Sequence, residues 1–211
     1  MYTDEQYILV GVILEAASGE KVEEAIQRRF VYPFQLLFTS PSDSRVIAGI
    51  AKGYVDDRTR KRGVPAWQGD AVMTDGVLGI NYGYGFTSGH YFSNPQDLAR
   101  WVRILYSGKA MSGPYLKDMF QFSESPENAH ATSGTERPPY GLGVMKEVTK
   151  YGLVYEHGGG MPGYMTMAAY YPDGDFSVAV QANLRSPVPG SLSKVRDQLA
   201  ECVHDFLNQK H

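Results

Sequence analysis

The 211-residue sequence contains one cysteine, Cys202. A single thiol excludes an internal disulfide and any metal site built from several thiolates. No apolar run approaches the roughly 20 residues a membrane helix needs, and no basic stretch precedes an apolar one at the N-terminus. Excess positive charge is lacking too: 20 Lys and Arg stand against 23 Asp and Glu, a net charge of -3. That balance offers no electrostatic reason to bind nucleic acid. The five histidines show no H-x-x-x-H spacing or clustered carboxylates, so neither a metal nor another cofactor is expected. What is present is a globular composition, 43% hydrophobic and 20% charged, enough for one good-sized core. Fifteen tyrosines and 23 glycines suit sheets, tight turns and an aromatic-lined cleft.

Residues 4 to 17, DEQYILVGVILEAA, place Ile8, Leu9, Val12, Ile13 and Ala16 on one helical face, with Gly19 as the stop. A second helix is predicted through EKVEEAIQRRF, ending before Pro33. Residues 40 to 93 lack clear periodicity, the mark of a functional loop region or an excursion between elements. NPQDLARWVRILYSG is the clearest helix: Asn94 caps it, Pro95 opens its first turn, and Leu98, Trp101, Val102 and Leu105 share a face before Gly108. GPYLKDMFQF reads as a short helix, and SESPENAHATSGTERPP as a polar surface loop.

From residue 140 the period changes to alternation. YGLGVMKEV, GLVYEH, YMTMAAYY and FSVAVQAN read as successive strands, with PDGD at 172 to 175 as a hairpin turn. In the closing helix, SLSKVRDQLAECVHDFLNQ, the stripe Leu192, Val195, Leu199, Val203 and Phe206 is predicted to pack across that sheet. Cys202 falls on its apolar side and is expected to be a buried small hydrophobe. The fold class is α+β, an antiparallel β-sheet covered by helices. Residues 1–135 form its helical and loop-rich part, and 136–211 the sheet and C-terminal helix of the same domain.

The segment YEHGGGMPGY, residues 155 to 164, admits three readings. Gly158, Gly160 and Gly163 match G-x-G-x-x-G, but dinucleotide binding needs a helix to start inside the motif, and here Pro162 precedes a β-alternating run. H-G-G-G is an oxyanion loop in many lipases, yet that fold requires a downstream G-x-S-x-G, which this sequence lacks. The third reading places His157-Gly158-Gly159 at the end of a strand lining a cleft. Glycine there lets a ligand's backbone approach and bond as an added strand would, with the Gly160 N–H and the histidine as donors.

PPYGLGV at 138 to 144, YEHGGGMPGY and AAYYPDGDFSVAVQAN together resemble the C-terminal half of serine β-lactamase-like hydrolases, the family of class C β-lactamases, D-alanyl-D-alanine carboxypeptidases and related esterases. The opening YTDEQYILVGVILEAASGEKVEEAI resembles the same family just after its second motif, Tyr-x-Asn, and NPQDLARWVRILYSGKAMSG its middle helix. The resemblance spans nearly the whole chain and keeps the family's motif order. It implies the β-lactamase/transpeptidase α/β/α sandwich and acyl transfer through a serine ester. A small acyl or peptide substrate, a periplasmic or extracytoplasmic setting and penicillin binding are implied as well. Carried over by residue, Tyr2 is the proton-transfer tyrosine and Asp4 the third member of its motif. His157, Gly158 and Gly159 form the opposite wall, and the Gly160 amide is one oxyanion donor. A tyrosine with an ordinary pKa of about 10 serves as a base near neutrality only beside positive charge, which the family's motif lysine and His157 would supply. A histidine in that wall would titrate near its ordinary pKa of roughly 6.5.

Two features depart from the family pattern. Asp4 stands where an Asn is usual, and an ionised carboxylate cannot donate to a substrate carbonyl as an amide can. That weighs against β-lactam or peptide substrates and leaves an ester or another small acyl donor. The nucleophilic S-x-x-K is not visible upstream of Tyr2. Two strings match it elsewhere: Ser18 with Lys21 at a helix end, and Ser191 with Lys194 at a helix start, where serine ordinarily caps. The chain therefore reads as the C-terminal part of such a hydrolase, inactive alone, with apolar surface exposed for self-association. The alternative is a non-catalytic module of the same fold that holds a peptide, cell-wall fragment or small carboxylate. His90 is expected to be solvated, as are His130, His204, His211 and the charged run at 56 to 63. Tyr82, Tyr84, Phe86 and Trp67 are candidates for an aromatic cleft wall.

Overall fold

The computed structural model describes residues 3–55, 72–111, 113–123, 138–185 and 191–209. The chain opens with α1 (Asp4–Ser18), closed by Gly19 at φ 67, whose N–H bonds to the Glu15 carbonyl. A left-handed residue at that position is what a glycine stop supplies. The expected apolar face of α1 does not point inward: Leu9 is 59% and Ile13 55% exposed. The buried residue is Gly11, where a Cβ would lie 2.2 Å from the Thr87 hydroxyl oxygen. Only a glycine lets the helix come this close to residues 86–87, and that contact decides its orientation.

Helix α2 (Val22–Ile26) runs into a widened helical turn over Gln27–Val31, which stops before Pro33. The irregular region contributes β1 (Ser40–Pro41), β2 (Tyr54–Val55), β3 (Met73–Thr74) and β4 (Val77–Leu78). A 3-10 segment, Tyr82–Ser88, and β5 (Tyr91–Phe92) follow. These pieces enclose a small core of Ile47, Val55, Val72, Leu78 and Tyr82. Helix α3 (Pro95–Tyr106) begins as expected, with Asn94 accepting from the Asp97 N–H at 2.8 Å, and α4 (Gly113–Met119) is the short helix after it.

The main sheet is β6 (Met145–Thr149), β7 (Gly152–Met161), β8 (Tyr164–Tyr171) and β9 (Phe176–Ala182), antiparallel in that order. Residues 140–144 precede β6 as a bridge and turn, so the first strand starts later than the alternation suggests. The hairpin at Pro172–Asp175 closes with the Asp175 N–H on the Pro172 carbonyl. A parallel pairing joins β2 to β10 (Leu184–Arg185).

Alternation along β8 divides the core. Ala168 and Tyr170 face α3 with Val102, Tyr106 and Val144, while Ala169 and Tyr171 face α5 (Ser191–Asn208) with Val154, Val178 and Ala200. The sheet is thus sandwiched between helices. Helix α5 is rotated from its expected stripe: Val195, Leu199 and Phe206 are exposed, and Arg196 and Ala200 lie buried against the sheet. Cys202 is likewise exposed, not buried. The inward face carries an ion pair, because Arg196 at 2% exposure meets Glu156 of β7, with Glu147 and Asp197 at its rim. No described helix is long and apolar enough to cross a membrane.

Candidate functional site

Strand β7 carries the residues singled out from the glycine cluster. Its pairing with β6 ends at Met145 opposite Glu156. Beyond that point β7 pairs, among the described residues, with β8 alone: Gly158 opposite Met167, Gly159 opposite Thr166 and Gly160 opposite Met165. Gly159 is exposed, with no atom within 4 Å of where a Cβ would stand. The far edge of β7 is therefore a row of backbone groups with small neighbours, suited to an added strand.

The alternation that buries Val154 and Glu156 against α5 turns Tyr155 and His157 to the other face. There Nε2 of His157 stands 3.0 Å from the Tyr140 hydroxyl, which lies 3.1 Å from the hydroxyl of Tyr7 on α1. Three side chains from a loop, a strand and a helix form one hydrogen-bonded line. Burial holds the His157 pKa below its ordinary value, while a bond to the Gly158 backbone and the Asp4 charge pull the other way. The neutral ring is favoured, so its Nε2 serves as acceptor for the Tyr140 O–H. Burial thus works against the positive charge expected of His157.

Asp4 is one helical turn before Tyr7, on the same face of α1. Its carboxylate acts electrostatically on both His157 and Tyr84, so the first turn of α1 faces the end of β7. Tyr2 lies outside the described residues, as do Trp67, His130, His211 and the charged run at 56 to 63. Among the described residues, Arg185 brings a fixed positive charge here: its guanidinium crosses Gly160, 2.6 Å from where a Cβ would stand. Tyr84, about half exposed, donates to the Met161 sulfur at 3.4 Å, and partial desolvation of its ring edge raises its pKa against the opposing Arg185 charge. Tyr82, by contrast, is buried in the small core and donates to the Pro162 carbonyl.

Sequence reasoning passed over Tyr7, Tyr140 and Arg185. The signals were there: Tyr7 is i+3 from Asp4, Tyr140 sits inside PPYGLGV, and Arg185 ends the run after the last long strand. The S-x-x-K strings lie elsewhere. The Ser18 hydroxyl donates to the Leu14 carbonyl at the far end of α1, about 21 Å from Asp4 at 1.5 Å per residue. Ser191 opens α5 on the opposite side of the sheet. His90 proves buried instead of solvated. Among the described residues no group of three His, Cys, Asp or Glu could hold a metal ion.

Comparison with known proteins adds to this geometry. Penicillin-binding protein 4* of Bacillus subtilis (strain 168) is 29% identical over 185 residues, 82% of this chain and 37% of that protein. A D-stereospecific amidohydrolase from Streptomyces sp. superposes with a TM-score of 0.70 at 26% identity, over 87% of this chain and 50% of the other. The D-amino acid amidase of Ochrobactrum anthropi SV3, complexed with L-phenylalanine amide, superposes with a TM-score of 0.76 at 16% identity, over all of this chain and 58% of that one. The chain thus spans between about a third and three fifths of these relatives. A family model described as beta-lactamase matches residues 1–200. By that match and by its sandwich of helices on an antiparallel sheet, the chain belongs to the beta-lactamase family and has the serine β-lactamase-like fold.

Proposed function

We propose that this chain supplies the substrate-holding and proton-relaying walls of a serine acyl hydrolase that works through an acyl-serine intermediate. The nucleophilic S-x-x-K comes from polypeptide outside these 211 residues. The observation that carries the reading is the Tyr7–Tyr140–His157 line set beside the open edge of β7 at Gly158–Gly160. In this reading the serine oxygen attacks the substrate carbonyl and its proton passes to Tyr2. The oxyanion is held by the Gly160 N–H, and the leaving group departs with that proton. Water then releases the acid by the reverse relay. Asp4 holds the motif lysine, while the neutral His157 keeps the β7 end in hydrogen-bonding register with the tyrosines. The relatives' amide substrates support a small acyl donor of the amide class.

A fluorescent penicillin and a fluorophosphonate, each incubated with the 211-residue chain, are expected to leave it unlabelled. D-phenylalanine amide is expected to shift the His157 ring resonances saturably. The same reagents should label a polypeptide that also contains an S-x-x-K segment. Stoichiometric labelling of the 211 residues alone overturns the assignment of the nucleophile, and unchanged His157 resonances overturn the site. Arg185 also favours a second reading, a non-catalytic module binding a small carboxylate. It predicts binding without labelling in any longer polypeptide.

A further inference from the structure

The stretch between the widened helical turn after α2 and strand β1 presents apolar side chains to solvent. Tyr32 is 70%, Leu37 80% and Phe38 61% exposed, whereas Leu36 is buried. This is an ordered protrusion. Gln35 sits at φ 54, the left-handed region a glutamine seldom occupies. Its N–H bonds to the Tyr32 carbonyl at 3.1 Å, and the Thr39 N–H reaches the Leu36 carbonyl at 3.1 Å.

Helix α3 fixes that shape. Nη1 of Arg100 donates to the Gln35 carbonyl at 3.1 Å. The buried Asp97 carboxylate accepts the Phe38 N–H at 2.7 Å and the Thr39 hydroxyl at 3.2 Å. Phe30 and Phe34 pack against Trp101, with ring centroids at 5.4 and 6.4 Å. The inner aromatic rings thus face α3, while Leu37 and Phe38 are held outward. Side chains this exposed do not line a groove; they stand on a convex tip. Arginines flank it. Arg28 and Arg29 precede Tyr32 by four and three positions along one helical turn, close enough to be its surface neighbours. Glu20 matches Arg28, whereas Arg29 and Arg100 are exposed and meet no carboxylate among the described residues.

We propose that the 32–38 turn is a lipid-contact tip, and that its partner is a bilayer surface carrying anionic headgroups. Leu37 and Phe38 enter the boundary between headgroups and acyl chains. Tyr32 lies at headgroup level with its hydroxyl in water. Arg29 and Arg100 meet lipid phosphates, an attraction that grows with the negative charge of the surface. An apolar tip beside unmatched cations is complementary to that boundary, which is apolar within and negative at its rim. Lipid also closes around a convex tip, whereas a folded partner would need a pocket already shaped to receive it. Such contact holds the chain on a surface and spans nothing.

The inference does not depend on the acyl-transfer reading, and its test needs no activity. The 211-residue chain is co-sedimented with vesicles of phosphatidylcholine alone or with roughly 30% phosphatidylglycerol. Binding to the anionic vesicles is expected to be at least about tenfold tighter, and to weaken as salt rises toward about 0.5 M. Leu37→Ser combined with Phe38→Ser should weaken it at least about tenfold, with the thermal midpoint unchanged because both positions are exposed. Arg29→Gln should lower the preference for anionic vesicles about fivefold. Ile13→Lys, on the outward face of α1, should leave binding unaltered. A nitroxide-labelled lipid should broaden the amides of residues 36–38 before those of α1. Absence of binding to anionic vesicles, equal binding by the double variant, or broadening led by α1 each overturns the tip. So does a double variant that abolishes self-association in lipid-free sedimentation, which would make the turn a contact between copies of the chain.

Discussion

The hydroxyl of Tyr140 stands 3.0 Å from Nε2 of His157 and ties the loop before β6 to the strand that carries the glycine triplet. The same hydroxyl reaches Tyr7, 133 positions away. Tyr140→Phe removes both hydrogen bonds of that hydroxyl and should cost about 1–3 kcal/mol. In a chain this long that lowers the thermal midpoint by at least roughly 2–4 °C, readable by calorimetry. An unchanged midpoint would show that the line of tyrosines contributes nothing to the fold.

The direction of the His157 shift sets a pH dependence. Burial depresses its folded-state pKa below the ordinary 6.5, so in mild acid the unfolded chain binds the proton first. Stability from this residue is complete above the ordinary value and is lost as pH falls through it toward the folded value. His157→Gln should therefore flatten the decline in urea-unfolding free energy on acidification below about pH 6.5. The comparison is variant against parent, because the raised pKa of Glu156, caused first by burial, acts in the same titration. Parallel pH profiles for the two proteins would contradict it.

Arg196 and Glu156 are both nearly sealed from solvent, with side chains 2% and 5% exposed. Removal of one partner strands the other charge, so Arg196→Met should cost about 3–5 kcal/mol in denaturant unfolding. Replacing both by apolar residues of similar volume, Arg196→Met with Glu156→Leu, should recover most of that loss. No recovery in the double variant would mean that the rim carboxylates Glu147 and Asp197 dominate.

Two glycines three residues apart should not be confused. At Gly160 an added methyl would meet the far end of Arg185, a flexible side chain that can swing aside, so Gly160→Ala should cost less than about 1 kcal/mol. Gly163 has φ +83, and a Cβ there would lie 2.5 Å from Val72 and 3.3 Å from the Gly53 backbone. Gly163→Ala combines a left-handed penalty of about 1–2 kcal/mol with overpacking of about 1–3 kcal/mol. Equal losses at the two positions, measured by thermal unfolding, would refute the distinction.

The outward apolar face of α1 should make the chain associate. Leu9, Val12 and Ile13 are each more than half exposed, and covering one such side chain gains about 1.5–3 kcal/mol. Sedimentation velocity should show concentration-dependent oligomers that Ile13→Lys shifts toward monomer. A parent chain that stays monomeric across the accessible range would refute it.

Local features were legible in the sequence. Gly19 and Asn94 bound their helices, PDGD made its hairpin, and β7 took up the glycine triplet, because caps, turns and alternation depend on neighbours a few residues away. The faces of α1 and α5 were misassigned for one reason. An apolar stripe says that a face prefers burial, not that a partner surface is there to meet it. Gly11 turned α1 by allowing close approach, and the Arg196–Glu156 pair turned α5 by drawing a charge inward.

By itself, then, the sequence determined the α+β class, the order of the elements and the position of His157 on a strand edge. Tertiary structure alone decided that Tyr7, Tyr140 and His157 meet, that Arg185 crosses Gly160, and that His90 is sealed beside Glu23. The physical reason is range: backbone preference acts over a few residues, whereas hydrogen bonds and ion pairs between distant side chains form only after the sheet and helices have fixed where each one points.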